Sequence, residues 1–103
     1  MSELEKITTI ANSNNSLKKG VNKQIYAFKD EAVGFTEVFN QTNDAIAVRL
    51  FTQLVNDEKS TFNKYADQMS LWNIGEYNDI TGEIVSTGAR MIIQAKQCLM
   101  KKE

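Results

Sequence analysis

Acidic side chains are the residues of this sequence with the clearest potential for metal binding or acid–base chemistry. The two clusters are Asp30, Glu31 and Glu37, and Glu76, Asp79 and Glu83. The chain has no histidine, so it lacks the side chain that titrates nearest neutrality and the usual ligand of zinc, copper and iron. Acidic residues without such partners are typical of solvated surfaces. We therefore predict no metal ion and no cofactor.

Cys98 is the single cysteine, and no histidine is available to deprotonate it, so we expect a packed thiol rather than a nucleophile. Neither common glycine-rich phosphate-binding pattern occurs. The sequence thus predicts a protein that is not an enzyme. One cysteine excludes an intrachain disulfide, and the N-terminus lacks the pattern of a secretory signal. No apolar run is long enough to span a bilayer, so we expect a cytoplasmic protein.

Arg49 and Arg90 each lie within an otherwise apolar stretch, where a guanidinium can pair with a carboxylate or bind phosphate. A structural ion pair at the edge of the core is the simpler interpretation of each. Twelve lysines and arginines against thirteen acidic residues give a net charge of −1, and ten of the twelve cations are lysine. Lysine is the less suited to forked phosphate recognition, so the sequence does not favour a nucleic acid partner.

The elements that must position these residues are predicted to be helices. The chain has no proline, only five glycines, and neither an Asn-Gly nor an Asp-Gly pair to mark a tight hairpin. Apolar residues recur at intervals of three and four in three long segments, a pattern typical of amphipathic helices. We predict an all-α fold in which a short N-terminal helix precedes three long, largely antiparallel helices. This helical bundle would form a single domain over residues 1–103.

The predicted long helices cover residues 17–41, 44–72 and 80–99. A capping pair, Ser2 and Glu5, predicts the start of the short first helix. The polar residues 56–60 interrupt the second long helix, either as a kink or as a solvated surface, and we expect that helix to continue through them. Residues 72–79 are predicted to form a turn, with Gly75 in a left-handed conformation at the end of the second long helix.

The last predicted helix provides the candidate interface. Its inner stripe contains Ile84, Gly88, Met91 and Ala95, and the small residues among them would let two helix backbones approach closely. We predict that this close contact governs either assembly or the tightness of the bundle. Arg49 and Arg90 complete the set of candidate interface residues.

More apolar residues are present than one inward stripe per helix requires. Those outside the main stripes are Leu50, Val55, Leu71, Ile74 and Ile93. A second apolar face commonly marks an interaction surface. We therefore predict a non-enzymatic helical adaptor or regulator that forms a homo-oligomer, with coiled-coil packing, and binds a protein partner through an apolar helix face.

Two alternatives remain open. Residues 39–72 and 80–99 resemble the amphipathic helix pairs of phasins, which coat storage granules, although no diagnostic motif is present. This resemblance implies a protein that coats apolar surfaces. The second alternative is an oligomer that sequesters a small ligand with Arg49 or Arg90. The ten asparagines and ten lysines indicate an AT-rich genome, bacterial or phage.

Overall fold

The computed structural model describes residues 22–100. The first elements of this part of the chain are two antiparallel strands, β1 (Asn22–Asp30) and β2 (Gly34–Gln41). The connection between them is short because Asp30 organises it. Its carboxylate accepts a hydrogen bond from the amide of Ala32 at 2.9 Å, and its carbonyl accepts one from the amide of Val33 at 3.0 Å. An aspartate that bonds its own downstream backbone is a common turn former.

The second hairpin consists of β3 (Met69–Asn78) and β4 (Ile84–Gln94). Asn78 closes its turn, because its side-chain oxygen accepts the amides of Ile80 at 2.8 Å and Thr81 at 2.9 Å. Strand β1 pairs with β3 as well as with β2, and all three pairings are antiparallel. The described residues thus form one four-stranded sheet with the order β2-β1-β3-β4.

Helix α1 (Asp44–Val55) connects the two hairpins and covers one face of the sheet. It begins where the side chain of Asn43 accepts the amide of Ile46 at 2.9 Å. Ala47, Phe51 and Val55, spaced by four, form its buried stripe. The smaller elements on this side are α2 (Thr61–Lys64), a 3₁₀ turn (Ala66–Gln68) and α3 (Ala95–Cys98).

The hydrophobic core lies between α1 and the sheet. Phe28 occupies its centre, with ring centroids 5.6 Å from Phe51, 4.9 Å from Phe39 and 4.7 Å from Phe62. Other buried members are Tyr26, Ala47, Val55, Ala66, Met69, Leu71, Ala95 and Cys98. The expectation that Cys98 is a packed thiol is confirmed, because the residue is buried in this core.

The polar residues 56–60 end α1 rather than continuing it. The side-chain amide of Asn56 donates to the carbonyls of Thr52 and Cys98, each at 2.9 Å. The side chain of Ser60 then accepts the amide of Asn63 at 3.1 Å and caps α2. Side chains that satisfy backbone groups in this way compete with helix continuation. The prediction of one continuous helix over residues 44–72 was therefore wrong beyond Val55.

The predictions of an all-α fold, a helical bundle and coiled-coil packing were wrong. Nearly half of the described residues lie in one four-stranded antiparallel sheet, and α1 is the one helix longer than a single turn among them. The helix predicted over residues 17–41 is, from Asn22 onward, the β1–β2 hairpin. Tyr26 and Phe28 point to the helices, but Ile25 and Ala27 on the opposite face are also apolar, so no polar–apolar alternation is visible. A β-bulge in β2, opposite Phe28, places Phe35 and Val38 on the same face although they are three residues apart, which is a helix-like interval.

The turn predicted at residues 72–79 lies in strand β3 except for its last residue, Asp79, because β3 continues to Asn78. Gly75 is a strand residue there, and a Cβ at this position would lie 2.6 Å from the carbonyl oxygen of Val85 on β4. Glycine at this position reflects the close approach of a neighbouring strand, not the end of a helix.

The prediction of a long helix over residues 80–99 was also wrong. Ile84, Gly88 and Met91 lie on β4, and Ala95 begins a short helix. Gly88 adopts a φ of +82°, and nothing lies within 4 Å of where its Cβ would be. Glycine at this position therefore allows a left-handed backbone conformation in the strand and does not form a close helix contact. Without these helices, neither the helical adaptor nor the phasin-like helix pair describes this protein.

The short helix predicted from Ser2 falls outside the described residues. Within residues 22–100, none of the helices has both the length and the apolar character needed to cross a bilayer.

Candidate binding face of the sheet

One face of the sheet carries no helix within the described residues, and we call it the open face. Side chains alternate between the two faces of a strand. Because Tyr26 and Phe28 point into the helix-side core, Lys23, Ile25, Ala27 and Lys29 of β1 belong to the open face. Strand pairing extends this face across the sheet. Its further members are Phe35, Val38 and Asn40 of β2, Ser70, Trp72 and Tyr77 of β3, and Ile84, Ser86 and Met91 of β4.

A lysine packed against two aromatic rings is the main feature of the open face. The rings of Phe35 and Trp72 meet edge to face, with centroids 5.4 Å apart and an interplanar angle of 83°. The ammonium group of Lys29 lies 5.0 Å from the Trp72 centroid and 5.3 Å from the Phe35 centroid. Both distances are within the range of attractive cation–π contact. We call these three residues the aromatic–lysine cluster.

The aromatic–lysine cluster is held in place from below and from the side. The indole N–H of Trp72 donates to the hydroxyl of Ser70 at 2.8 Å, which fixes the ring orientation. Ala27 lies between the cluster's strands and is fully buried, so the sheet beneath the rings has no gap. Phe35 is 47% exposed nonetheless. The cluster therefore presents an ordered ring surface to whatever approaches the sheet.

The charge on the open face differs from that of the whole chain. Its strand positions within residues 22–100 include two lysines, Lys23 and Lys29, and no aspartate or glutamate. Glu37 lines a groove on the helix side, away from this face. Asp79 in the β3–β4 turn lines the same pocket as Lys23, so the positive charge of the open face is concentrated at Lys29. The open face is thus locally positive although the chain has a net charge of −1.

A second polar cluster, on the helix side, joins α1 to the sheet. The phenol of Tyr26 donates to the carboxylate of Asp44 at 2.8 Å, and Arg90 reaches the other carboxylate oxygen at 3.3 Å. Burial, together with the carboxylate of Asp44, raises the pKa of the Tyr26 phenol well above its usual value. Tyr26 thus keeps its proton at neutral pH. This cluster has the character of a structural clamp rather than of an acid–base site.

The structure does not gather the predicted interface residues into one site. Met91 lies on the open face beside Trp72, and Ile84 lies at the far end of the same strand. Arg90 takes the structural ion-pair role, with Asp44, whereas Arg49 is exposed on α1. Ala95 is buried in the core. Among the described residues, no group of acidic residues or cysteine is arranged to hold a metal ion.

Sequence reasoning missed the aromatic–lysine cluster. Phe35 and Trp72 fall within the helices predicted over residues 17–41 and 44–72, and Lys29 was not singled out. Their proximity depends on strand pairing, which brings residue 72 beside residue 27. A sequence signal existed in the pair Lys29 and Phe35, which flank a short turn at near-mirror positions.

Comparison with known proteins gives one finding. The family model described as phage ORF5 protein matches residues 23–98, which includes everything from β1 to α3. The chain belongs to the phage ORF5 protein family. No curated protein and no solved structure matches it. For this phage ORF5 family member, membership fits the phage origin that composition allowed, and the matched region includes the open face.

Proposed function

We propose that this phage ORF5 family member is a non-enzymatic protein that binds single-stranded nucleic acid on the open face of its sheet. The observation that carries the proposal is the aromatic–lysine cluster: an ordered pair of rings beside a cation. Exposed aromatic rings on a sheet stack unpaired bases, and adjacent cations contact the phosphates. We also propose that it acts in the cytoplasm of the host cell, where free thiols such as Cys98 remain reduced.

The shape of the open face favours a single strand over a duplex. Base stacking needs ring faces or edges that a flat, unpaired base can reach, and bases inside a duplex are already stacked. Phe35 and Trp72 lie on the face of a four-stranded sheet, not on a helix or two-stranded ribbon that could enter a major groove. Duplex DNA is thus expected to bind more weakly than a single strand of the same length.

The near-neutral net charge of the chain led us to expect that nucleic acid is not a partner. We now propose otherwise because the positive charge of the open face differs from the net charge. Local charge, not the sum over the chain, determines what a phosphate meets at a surface. Two lysines would release few counterions. With a slope of about −0.7 per neutralised phosphate for single strands, two contacts give a slope near −1.4 for log K against log salt. Stacking would then supply most of the affinity.

Fluorescence anisotropy of a labelled oligothymidylate tests the proposal. A probe of about 20 nucleotides exceeds the roughly 4–16 nucleotides that one small sheet-based domain covers. Phe35→Leu should weaken binding roughly 5- to 150-fold, the equivalent of the 1–3 kcal/mol measured per stacked base. Lys29→Ala should weaken binding and also flatten the salt dependence.

The chain offers a matched control. Tyr65 on the helix side is 44% exposed, and the ammonium of Lys64 lies 5.5 Å from its ring centroid, so the pair copies the chemistry of the cluster away from the open face. Tyr65→Leu should leave binding unchanged. Equal losses from Tyr65→Leu and Phe35→Leu, or no binding by the wild type at low salt, would contradict the proposal.

A further inference from the structure

Strands β2 and β4 form the two edges of the sheet, and within residues 22–100 neither has a neighbour on its outer side. An unpaired edge presents backbone N–H and carbonyl groups that another strand can bond. Proteins commonly protect such edges with proline or lysine, and neither residue occurs in β2 or β4. Both edges are therefore competent for strand addition.

Strand β4 is unusually exposed for a strand of its length. Every residue from 84 to 91 is exposed, including Ile84 at 71% and Val85 at 46%. Val85 pairs with Glu76, which in turn pairs with Gln24, so Val85 lies on the helix side of the sheet. No part of the described core covers it. The strand thus offers an apolar residue on the face that α1 covers elsewhere.

The edge of β2 lies beside an apolar groove. The groove has a volume of about 310 Å³ and separates β2 from α1. Its apolar lining residues are Phe28, Val38, Phe39, Leu50 and Leu54, and Glu37 is the charged residue on it. A strand added to β2 would place its helix-side residues over this groove.

Strand direction and charge both match β4 to β2. Because all pairings are antiparallel, directions alternate across the order β2-β1-β3-β4, and the two edge strands run in opposite directions. A second copy placed alongside without being turned over would therefore bring its β2 antiparallel to β4. Strand β2 carries one acidic residue, Glu37, and no cation. Strand β4 carries no acidic residue, and its one cation, Arg90, is paired with Asp44 of the same molecule. Two β2 strands would bring two Glu37 carboxylates together, whereas β4 presents no acidic side chain to the β2 edge.

We propose that β4 of one molecule pairs antiparallel with β2 of a second copy, with Val85 entering the groove at Leu50 and Leu54. Each copy uses two different edges, so the contact is head-to-tail and repeats from copy to copy. One edge-to-edge contact is small by the standard of stable dimers, so the association is reversible and rises with concentration. The proposal is independent of nucleic acid binding, since neither Glu37 nor Val85 lies on the open face.

Sedimentation velocity over a range of protein concentrations tests this pairing. The average mass of the wild-type protein should rise above the monomer mass of 11.6 kDa as its concentration increases. Glu37→Lys, which alters the β2 edge, and Val85→Asp, which alters the β4 edge, should each remain near the monomer mass. Mixing the two variants should restore association, because each retains the edge that the other lacks. Glu31→Lys, the same charge change in the exposed β1–β2 turn, should associate like wild type.

Three results would overturn the proposal. Wild-type protein that stays monomeric throughout has no such contact. Normal association of Glu37→Lys alongside loss in Val85→Asp would indicate symmetric β4–β4 pairing, and loss in Glu31→Lys would indicate a general charge effect. Circular dichroism establishes that each variant is folded, and Ala89→Asp replaces Val85→Asp if that variant is not.

Discussion

The two faces of this sheet hold the same kinds of residue in opposite environments. Phe28 on the helix side is 3% exposed and contacts three other rings, whereas Phe35 on the open face is 47% exposed and shares its contacts with Trp72 and a lysine. One face uses aromatic rings to exclude water, and the other keeps them ordered but accessible. The difference shows that apolar content alone does not separate a core from a binding surface.

Truncating one phenylalanine on each face should give the largest difference in the free energy of unfolding. Phe51 is fully buried against the rings of Phe28 and Phe62, so Phe51→Ala should lower the free energy of unfolding by roughly 3–5 kcal/mol. Phe35→Ala should cost roughly 1 kcal/mol or less, because much of that ring already contacts water. Urea denaturation of both variants measures the difference. Similar losses at the two positions would mean that the open face is part of the stabilising core.

Tyr26→Phe tests the polar clamp on the helix side. Removing the phenol deletes a hydrogen bond to a carboxylate, and we expect a loss of roughly 1.5–3 kcal/mol in the free energy of unfolding. The pKa of Tyr26 is raised in the folded state, so its contribution is complete below about pH 10, the unfolded value. It is lost as the pH rises further, because the unfolded chain then releases a proton that the folded chain retains.

Denaturation at about pH 8 and about pH 11 measures this dependence. The stability difference between wild type and Tyr26→Phe should shrink at the higher pH. A difference that stays constant or grows would mean that the phenol is not held by Asp44 as the structure indicates.

Alanine substitutions at two glycines should have smaller effects on stability, each with a different local cause. Gly75→Ala should cost roughly 1–3 kcal/mol, since its Cβ would lie 2.6 Å from the carbonyl oxygen of Val85 and would push β4 away. Gly88→Ala meets no neighbour, and its cost of roughly 1–2 kcal/mol comes from a φ of +82°. Amide hydrogen exchange separates the two mechanisms. Exchange should increase across the β3–β4 ladder in Gly75→Ala, and an increase of the same extent in Gly88→Ala would contradict this assignment.

The sequence predicted α1 but not the sheet, and the reasons are physical. Asn43 and Asp44 followed by Ala47 and Phe51 form a capped amphipathic helix whose local signals agree with its burial. The strands carry apolar residues on both faces, which hides their period of two. Strand β4 is rich in β-branched residues, with Ile84, Val85 and Thr87 near its start and Ile92 and Ile93 near its end. This sequence signal for a strand was outweighed by the intervals of three and four.

The candidate site could not be read from the sequence because it is formed by strand pairing over long sequence separations. Lys29 and Trp72 are far apart in the chain and adjacent in the sheet. The ion pair that the sequence suggested as the simpler interpretation of Arg90 is present, with its guanidinium 3.3 Å from a carboxylate oxygen and both side chains partly exposed. Its partner, Asp44, could not be identified without the fold.

Fluorescence emission of Trp72 reports directly on whether single-stranded nucleic acid binds at the aromatic–lysine cluster. It is the only tryptophan in the chain and lies within the aromatic–lysine cluster, so its fluorescence reports on the open face alone. Adding unlabelled oligothymidylate at low salt should quench this emission over the same concentration range in which anisotropy detects binding, and Lys29→Ala should shift both curves together. If Trp72 emission stays unchanged while anisotropy shows that the oligonucleotide is bound, the nucleic acid binds elsewhere and the open face is not the binding surface.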